Sequence, residues 1–286
     1  MNRYRSWGLL LAGFACSVCW QASLSAQQSS FIKMPTRKFR TPDEMLLFVP
    51  SRFPEGDWQT DQITFQDVFF QAADGTKLHG WYCPCDQPRA TILLSHGNAG
   101  NVAFRTRWLR ILQTRLKVSV LIYDYRGYGR SEGKPTIPGA IQDGQAARKK
   151  LAELSGRPLN EIVLMGESLG GAISVQLAAE SPPKALVLQS TFTSFHDVAK
   201  VHASKLAWMV PKSRLNSIEA LKQVQAPLLI SHGTVDTVIP LTHGQALYRA
   251  AEEPKEFVSI EAVGHNDWIR DEYIESLSRF LDGLDK

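Results

Sequence analysis

Three residues of this chain have the types and the order needed to break an acyl bond: Ser168, Asp236 and His265. A serine hydroxyl is a weak nucleophile at neutral pH. It needs a base within hydrogen-bond reach, and that base must be oriented by an acid. Ser168 stands in Gly166-Glu167-Ser168-Leu169-Gly170-Gly171, after the apolar run 162–165 and before Ala172, Val175 and Ala179, which recur on one helical face. The pattern predicts a strand, a sharp turn and a helix, with the serine at the junction. Small flanking residues let strand and helix approach closely and leave the hydroxyl exposed above the sheet. The backbone N–H of Leu169, a first-turn donor with no intrahelical partner, then faces the same space and can stabilise an oxyanion. Taken alone, the pentapeptide also fits a Gly/Ser turn without chemistry, so the rest of the chain has to decide.

Chain order is the next constraint, because enzymes with such an elbow run serine, acid, histidine. Asp236 follows Ser231-His232-Gly233 just beyond an apolar strand at 227–230, which puts it at the carboxyl edge of the sheet. Of the seven histidines only His243 and His265 come later. His265, in Ala262-Val263-Gly264-His265-Asn266-Asp267, sits on a loop between the last strand and the final amphipathic helix, on the same edge as Ser168. His243 lies near a helix start on the flank, where a structural role is expected. A second oxyanion donor is expected from Ser95-His96-Gly97-Asn98-Ala99-Gly100-Asn101, with the N–H of Asn98 as the candidate and His96 as a brace of that loop. Asp124 and Arg126, in Tyr123-Asp124-Tyr125-Arg126-Gly127-Tyr128-Gly129-Arg130-Ser131, offer a rival acid; glycine-rich loops of this kind brace themselves internally, and that is the role assigned here. Glu167 is given no role.

These residues need a scaffold, and the hydropathy pattern supplies one. Runs at 63–69 and 78–82 flank Asp74-Gly75 as a hairpin. Strands are predicted at 91–94, 118–123, 185–188, 227–230 and 256–260, with helices over 102–116 and 140–154 between them, an alternation that makes βαβ units. The longest interruption, 195–226, carries Val198, Val201, Leu206, Trp208 and Met209 on a mostly helical pattern. It is either a small lid or a lengthened crossover, and it is too short for a cap domain.

Five ordered segments, 95–101, 123–131, 166–171, 231–240 and 264–267, together resemble the α/β-hydrolase superfamily, in its compact branch of abhydrolase-type protein depalmitoylases and related bacterial hydrolases. The resemblance spans residues 61–284. It implies an α/β fold with a mostly parallel eight-stranded sheet and helices on both faces, and Ser168, Asp236 and His265 as the triad. Depalmitoylases of this type have cysteine-rich, lipidated amino termini, and this chain departs from them there. The activity expected is cleavage of an ester or thioester through an acyl-enzyme, with no cofactor and no metal. A prolyl-oligopeptidase-like peptidase is the alternative within enzymes. A binding protein on a retired hydrolase fold is the alternative outside them.

The chain's 286 residues, 44% of them hydrophobic, are enough for one large domain. A net charge of +4 with Lys and Arg dispersed gives no basis for nucleic-acid binding. Arg3 and Arg5 precede an apolar run at 7–20, and small residues follow to Ala26. Residues 1–26 therefore read as a signal peptide of an exported, periplasmic or secreted protein; an anchor over 7–26 is the alternative, although about 20 apolar residues are needed to span a bilayer. Residues 27–60 read as a linker and an edge segment. Cys16 and Cys19 fall in the leader, while Cys83 and Cys85 are too close for a good disulfide and have no second pair for zinc. The partner expected is a small-molecule or acylated substrate, with room for transient membrane association; the oligomeric state is open.

Overall fold

The computed structural model describes residues 47–284, the side chain of Leu206 aside. In chain order its strands are β1 (Val49–Pro50), β2 (Gln66–Gln71), β3 (Lys77–Cys83), β4 (Thr91–Ser95), β5 (Ala99–Gly100), β6 (Ser119–Asp124), β7 (Ile162–Glu167), β8 (Ala185–Gln189), β9 (Leu228–Gly233) and β10 (Lys255–Ile260). The α-helices are α1 (Thr106–Thr114), α2 (Ile137–Ser155), α3 (Leu169–Glu180), α4 (Phe195–His202), α5 (Ser217–Leu221), α6 (Leu241–Ala250) and α7 (Asp271–Gly283).

Near-continuous apolar runs in β4, β6, β7, β8 and β9 are buried on both faces, as the centre of a parallel sheet requires. Eight strands pair in the order β10-β9-β8-β7-β4-β6-β3-β2. The β2–β3 and β3–β6 pairs are antiparallel and the others parallel. Successive side chains of one strand feed opposite cores. Ile162 and Leu164 of β7 pack with Ala172 of α3 and Ala147 of α2, whereas Val163 and Met165 pack with Leu109 of α1 and Leu277 of α7. Helices therefore cover both faces, and the fold is the mostly parallel, three-layer α/β architecture expected.

Two elements differ from expectation. The helix predicted over 102–116 is a 3₁₀ turn, Val102–Phe104, followed by α1, because the Asn101 side chain caps the turn at the Ala103 N–H and Arg105 leaves helical geometry. α2 begins earlier than predicted, at Ile137, where Thr136 accepts a bond from the Gly139 N–H and Pro138 sits in the first turn. The segment expected at the edge is anchored more deeply: Leu47 and Phe48 belong to the main core, β1 pairs with β5, and Arg52 bridges Gly129. The leader and the stretch 27–46 lie outside the described residues. No described helix is long and apolar enough to cross a membrane. Cys83 and Cys85 are both free thiols.

The glycine-rich loop after β6 braces itself as anticipated, Ser131 Oγ donating to the Asp124 carbonyl at 2.7 Å and the Ser131 N–H to the Tyr128 carbonyl at 2.8 Å, and it also bonds outward. Arg126 donates from Nε and Nη2 to Asp143 of α2 and from Nη1 to Asp74 in the β2–β3 turn. Burial pushes the Asp143 carboxyl up, against the pull of Arg126. At Asp74 burial also raises the pKa, but the bonds from Arg126 and Thr76 win and hold it at about 2. Removing one partner of a buried ion pair typically costs about 3–5 kcal/mol. Arg126→Met should therefore lower the urea midpoint sharply, and Arg126→Met/Asp143→Leu should recover most of the loss. Equal midpoints for wild type and Arg126→Met would remove this pair from the account of the loop.

Candidate active site

Ser168 sits between β7 and α3 at φ 53°, ψ −116°, a left-handed setting that costs a non-glycine residue about 1–3 kcal/mol and persists only where its surroundings fix it. They do so at three points. The Ser168 N–H donates to the Gln189 carbonyl at 2.9 Å, and the Ser168 carbonyl accepts from Thr191 Oγ1 at 2.6 Å. A methyl at Gly170 would run into the Ser95 carbonyl, and one at Gly166 into the Gly170 carbonyl, so only glycines allow this approach.

Ser168 Oγ lies 3.2 Å from His265 Nε2, and His265 Nδ1 donates to Asp236 Oδ2 at 2.7 Å. Asp236 Oδ1 accepts the N–H groups of Val238 and Ile239 at 2.9 and 2.8 Å. Burial pushes the Asp236 carboxyl up, but the bonds from His232, His265 and the Ile239 N–H outweigh it and hold the group well below the usual carboxylate range. An ionised Asp236 accepting from Nδ1 leaves the Nε2 lone pair toward Ser168, which is the tautomer a general base needs. The His265 loop is tied in its turn: Val235 N–H donates to the Val263 carbonyl and Gly264 N–H to Asp267 Oδ1. The structure thus brings together the three residues singled out from chain order.

Leu169 opens α3, and Asn98 lies across from it; both line one cavity with Ser168 and His265. Among the described residues neither backbone N–H has an acceptor. The Asn98 peptide is fixed from behind, its carbonyl accepting from Tyr128 Oη at 2.7 Å and the Val49 N–H at 3.1 Å. Tyr125 Oη holds the His96 carbonyl at 2.9 Å. Sequence reasoning missed both tyrosines as braces, although the loop that holds them was recognised.

The rival candidates lie elsewhere. Asp124 is buried and accepts from His79 and the Val102 N–H, and His79 Nε2 meets Asp67 at 2.6 Å. His96 donates from Nδ1 to the Gly97 carbonyl at 2.7 Å. His243, on α6, receives the Thr193 N–H on Nδ1 at 3.3 Å. Each holds structure together.

Two cavities meet at Ser168, sharing Asn98, Ala99, His265 and Asn266. The larger, about 500 Å³, is walled by Phe192, Phe195, Val198, Val210 and Ile239. The smaller, about 320 Å³, is lined by Arg105 and Glu167, whose Nε and Oε2 stand 3.9 Å apart. The segment 195–226 therefore walls the larger cavity with α4 and with Ala203 and Val210, the residues on either side of a 3₁₀ turn, Ser204–Met209, whose described side chains do not line it.

A family model described as serine aminopeptidase, S33, matches residues 86–220. The α/β hydrolase domain-containing protein WAV2 of Arabidopsis thaliana is 36% identical over 231 residues, 72% of this chain and 74% of its own length. The human α/β hydrolase domain-containing protein 17B is 31% identical over 230 residues, 79% of each. Among solved structures, an esterase of Pyrococcus furiosus superposes with a TM-score of 0.68 at 21% identity, covering 83% of this chain and 98% of the esterase, a likeness of fold.

Burial and the charge of Arg105 lower the His96 pKa to about 3, against the Gly97 carbonyl that favours the charged form. The folded state therefore takes up no proton here until far below the unfolded value of 6.5, so the stability is present above pH 6.5 and is lost as pH falls toward 3. The loss should reach about 2 kcal/mol by about pH 5. His96→Asn should lower Tm at neutral pH and flatten its decline between those values in calorimetry; an unchanged slope would exclude His96 as the titrating group.

Proposed function

Because the chain belongs to the α/β-hydrolase superfamily, we propose that it is a serine hydrolase that cleaves a carboxylic ester or thioester through an acyl-enzyme, with Ser168, Asp236 and His265 as its triad. The carrying observation is the relay Asp236–His265–Ser168, at 2.7 and 3.2 Å, set at the mouth of an apolar cavity. In this reading His265 Nε2 takes the Ser168 proton as Oγ attacks the substrate carbonyl. The N–H groups of Asn98 and Leu169 stabilise the tetrahedral oxyanion. His265 then returns the proton to the departing alcohol or thiol, and the C–O or C–S bond breaks. A water deprotonated by His265 attacks the acyl-serine, which releases the acid and restores the hydroxyl. Asp236, ionised throughout, stabilises the imidazolium formed in each half.

The acyl group occupies the larger cavity. The wall helix α4 has eight residues, about 12 Å at 1.5 Å per residue. An extended chain of roughly eight to ten carbons fills that length, with carbon–carbon bonds of about 1.5 Å. Short and medium acyl esters are the substrates this favours. An aminopeptidase reading draws on Glu167, a carboxylate in the smaller cavity suited to an α-ammonium group, although Arg105 beside it opposes a second cation. We also propose export, from Arg3, Arg5 and the apolar run after them.

Ser168→Ala should abolish fluorophosphonate labelling and p-nitrophenyl ester turnover without unfolding the chain. His265→Ala should lower kcat on the order of 10⁴–10⁶-fold, with Asp236→Asn close behind and His243→Ala far less affected. Labelling that persists on another residue, or a dead His243→Ala beside an active His265→Ala, would refute the triad. A panel of esters and aminoacyl nitroanilides should peak at short or medium acyl length; a palmitoyl optimum in monomeric substrates, or preference for the anilides, would redirect the assignment. Export predicts an intact mass beginning between residues 25 and 28 in protein taken from the cell envelope, whereas a full-length, carbonate-resistant species would indicate the anchor.

A further inference from the structure

Among the described residues, five large apolar side chains exposed to solvent lie in two neighbouring segments: Val201, Trp208 and Met209 in one, Val235 and Val238 in the other. Trp208 is 78% exposed, the most of any large apolar side chain described. His202 Nε2 donates to the Val238 carbonyl at 2.6 Å and ties the segments together. The same two segments wall the acyl cavity, through Val198, Ala203 and Val210 on one side and Val238 and Ile239 on the other. The exposed apolar face is thus continuous with the cavity mouth, and Val238 belongs to both.

The charge along the first of these segments is one-sided. Between Asp197 and Glu219 the chain carries Lys200, Lys205, Lys212 and Arg214 and no acidic residue. Lys200 is held by Asp197 at 3.0 Å. Lys205 and Lys212, on either side of Trp208 in sequence, are exposed, and no described carboxylate lies within ion-pair distance of either. Projecting Trp and Met beside unpaired lysines match the surface of a bilayer: apolar groups enter the headgroup–acyl boundary while the ammonium groups meet anionic phosphates. A twofold dimer through this face would set Lys205 and Lys212 against the same cationic surface of the second copy, which disfavours that occupant.

We propose that the face bearing Val201, Trp208, Met209 and Val238, with Lys205 and Lys212, docks on an anionic phospholipid surface and turns the mouth of the acyl cavity toward it. The docking surface rests on exposure and charge alone, so it stands apart from the hydrolase reading; only the identity of what enters the cavity depends on that reading.

The full chain should partition onto phosphatidylcholine vesicles containing about 30% phosphatidylglycerol at low salt, and less at about 0.5 M salt or without the anionic lipid. Lys205→Gln/Lys212→Gln should weaken partitioning on the order of 25-fold, from the loss of two surface cations. Trp208→Phe isolates one indole among the seven of the chain: brominated lipid should quench wild-type emission more than that of Trp208→Phe, by the share of a single inserted ring. All these variants should turn over a soluble p-nitrophenyl butyrate as wild type does, and Ser168→Ala should bind vesicles as wild type does, so that a failed hydrolase reading and a failed docking surface give different results. Equal quenching in wild type and Trp208→Phe, partitioning insensitive to the two lysines, or a concentration-dependent dimer abolished by Trp208→Ser would each overturn the proposal.

Discussion

The close approach of the α3 amino terminus to β4 and β7 is the constraint on which the site depends. Gly166 and Gly170 lie against backbone carbonyls where a side chain has no room, and Gly171 lies against Thr191, with Thr191 Cβ 2.5 Å from where a glycine-to-alanine methyl would stand. That contact fixes three things at once: the positive φ of Ser168, the direction of the Leu169 N–H, and the distance from the elbow to the Asn98 loop that leaves β4. A helix displaced by the width of a methyl group would part the hydroxyl from His265 and separate the N–H groups of Leu169 and Asn98. Since catalytic geometry tolerates errors well under about 1 Å, a strained serine on jammed backbone is preferable to a relaxed one on a loose turn.

The acid is held by a different physical device. The Asp236 carboxylate is held by hydrogen bonds: two backbone N–H groups on Oδ1 and His265 on Oδ2, with His232 Nε2 3.5 Å from Oδ2. His232 also donates to the Ile239 carbonyl at 2.7 Å and so closes the loop that supplies those N–H groups. Position alone distinguishes the histidines. His232 locks a loop, His96 is kept neutral by burial, and His265, at the edge of two cavities, has one nitrogen committed to a carboxylate and the other facing a hydroxyl.

Most of this scaffold was legible because it is written in local pattern. Apolar runs of four to six residues mark strands buried on both faces, and the order serine, acid, histidine follows from where successive strands end on one sheet edge. What escaped the sequence was long-range. Tyr125 and Tyr128 reach carbonyls 29 and 30 residues away, and nothing in the glycine-rich segment around them signals that they brace the Asn98 loop rather than their own turn. Leu47 and Phe48 looked like an edge patch, since a short apolar cluster before a proline does not reveal that it fills the core beneath Tyr128. The break at Arg105 was hidden because the periodicity of 102–116 suits a single helix, and only the cap from Asn101 ends the first turn early.

The wall of the larger cavity shows how binding and exposure are linked in so small a fold. Phe195, Val198, Ala199 and His202 recur at i, i+3, i+4 and i+7 on α4 and face the cavity, while Lys200 and Val201 face outward. No second layer covers this helix from outside among the described residues, so the wall is about one helix diameter, some 10 Å, thick. A deeper cap would bury Trp208 and Met209 and lengthen the path to Ser168. With a single helix and a 3₁₀ turn, the apolar groups that would have been the interior of a cap remain on the surface, beside the entrance. On the proposed reading, an acyl chain held at a bilayer would enter past Val238 and His202, which line the cavity and are bonded to each other, without crossing bulk water.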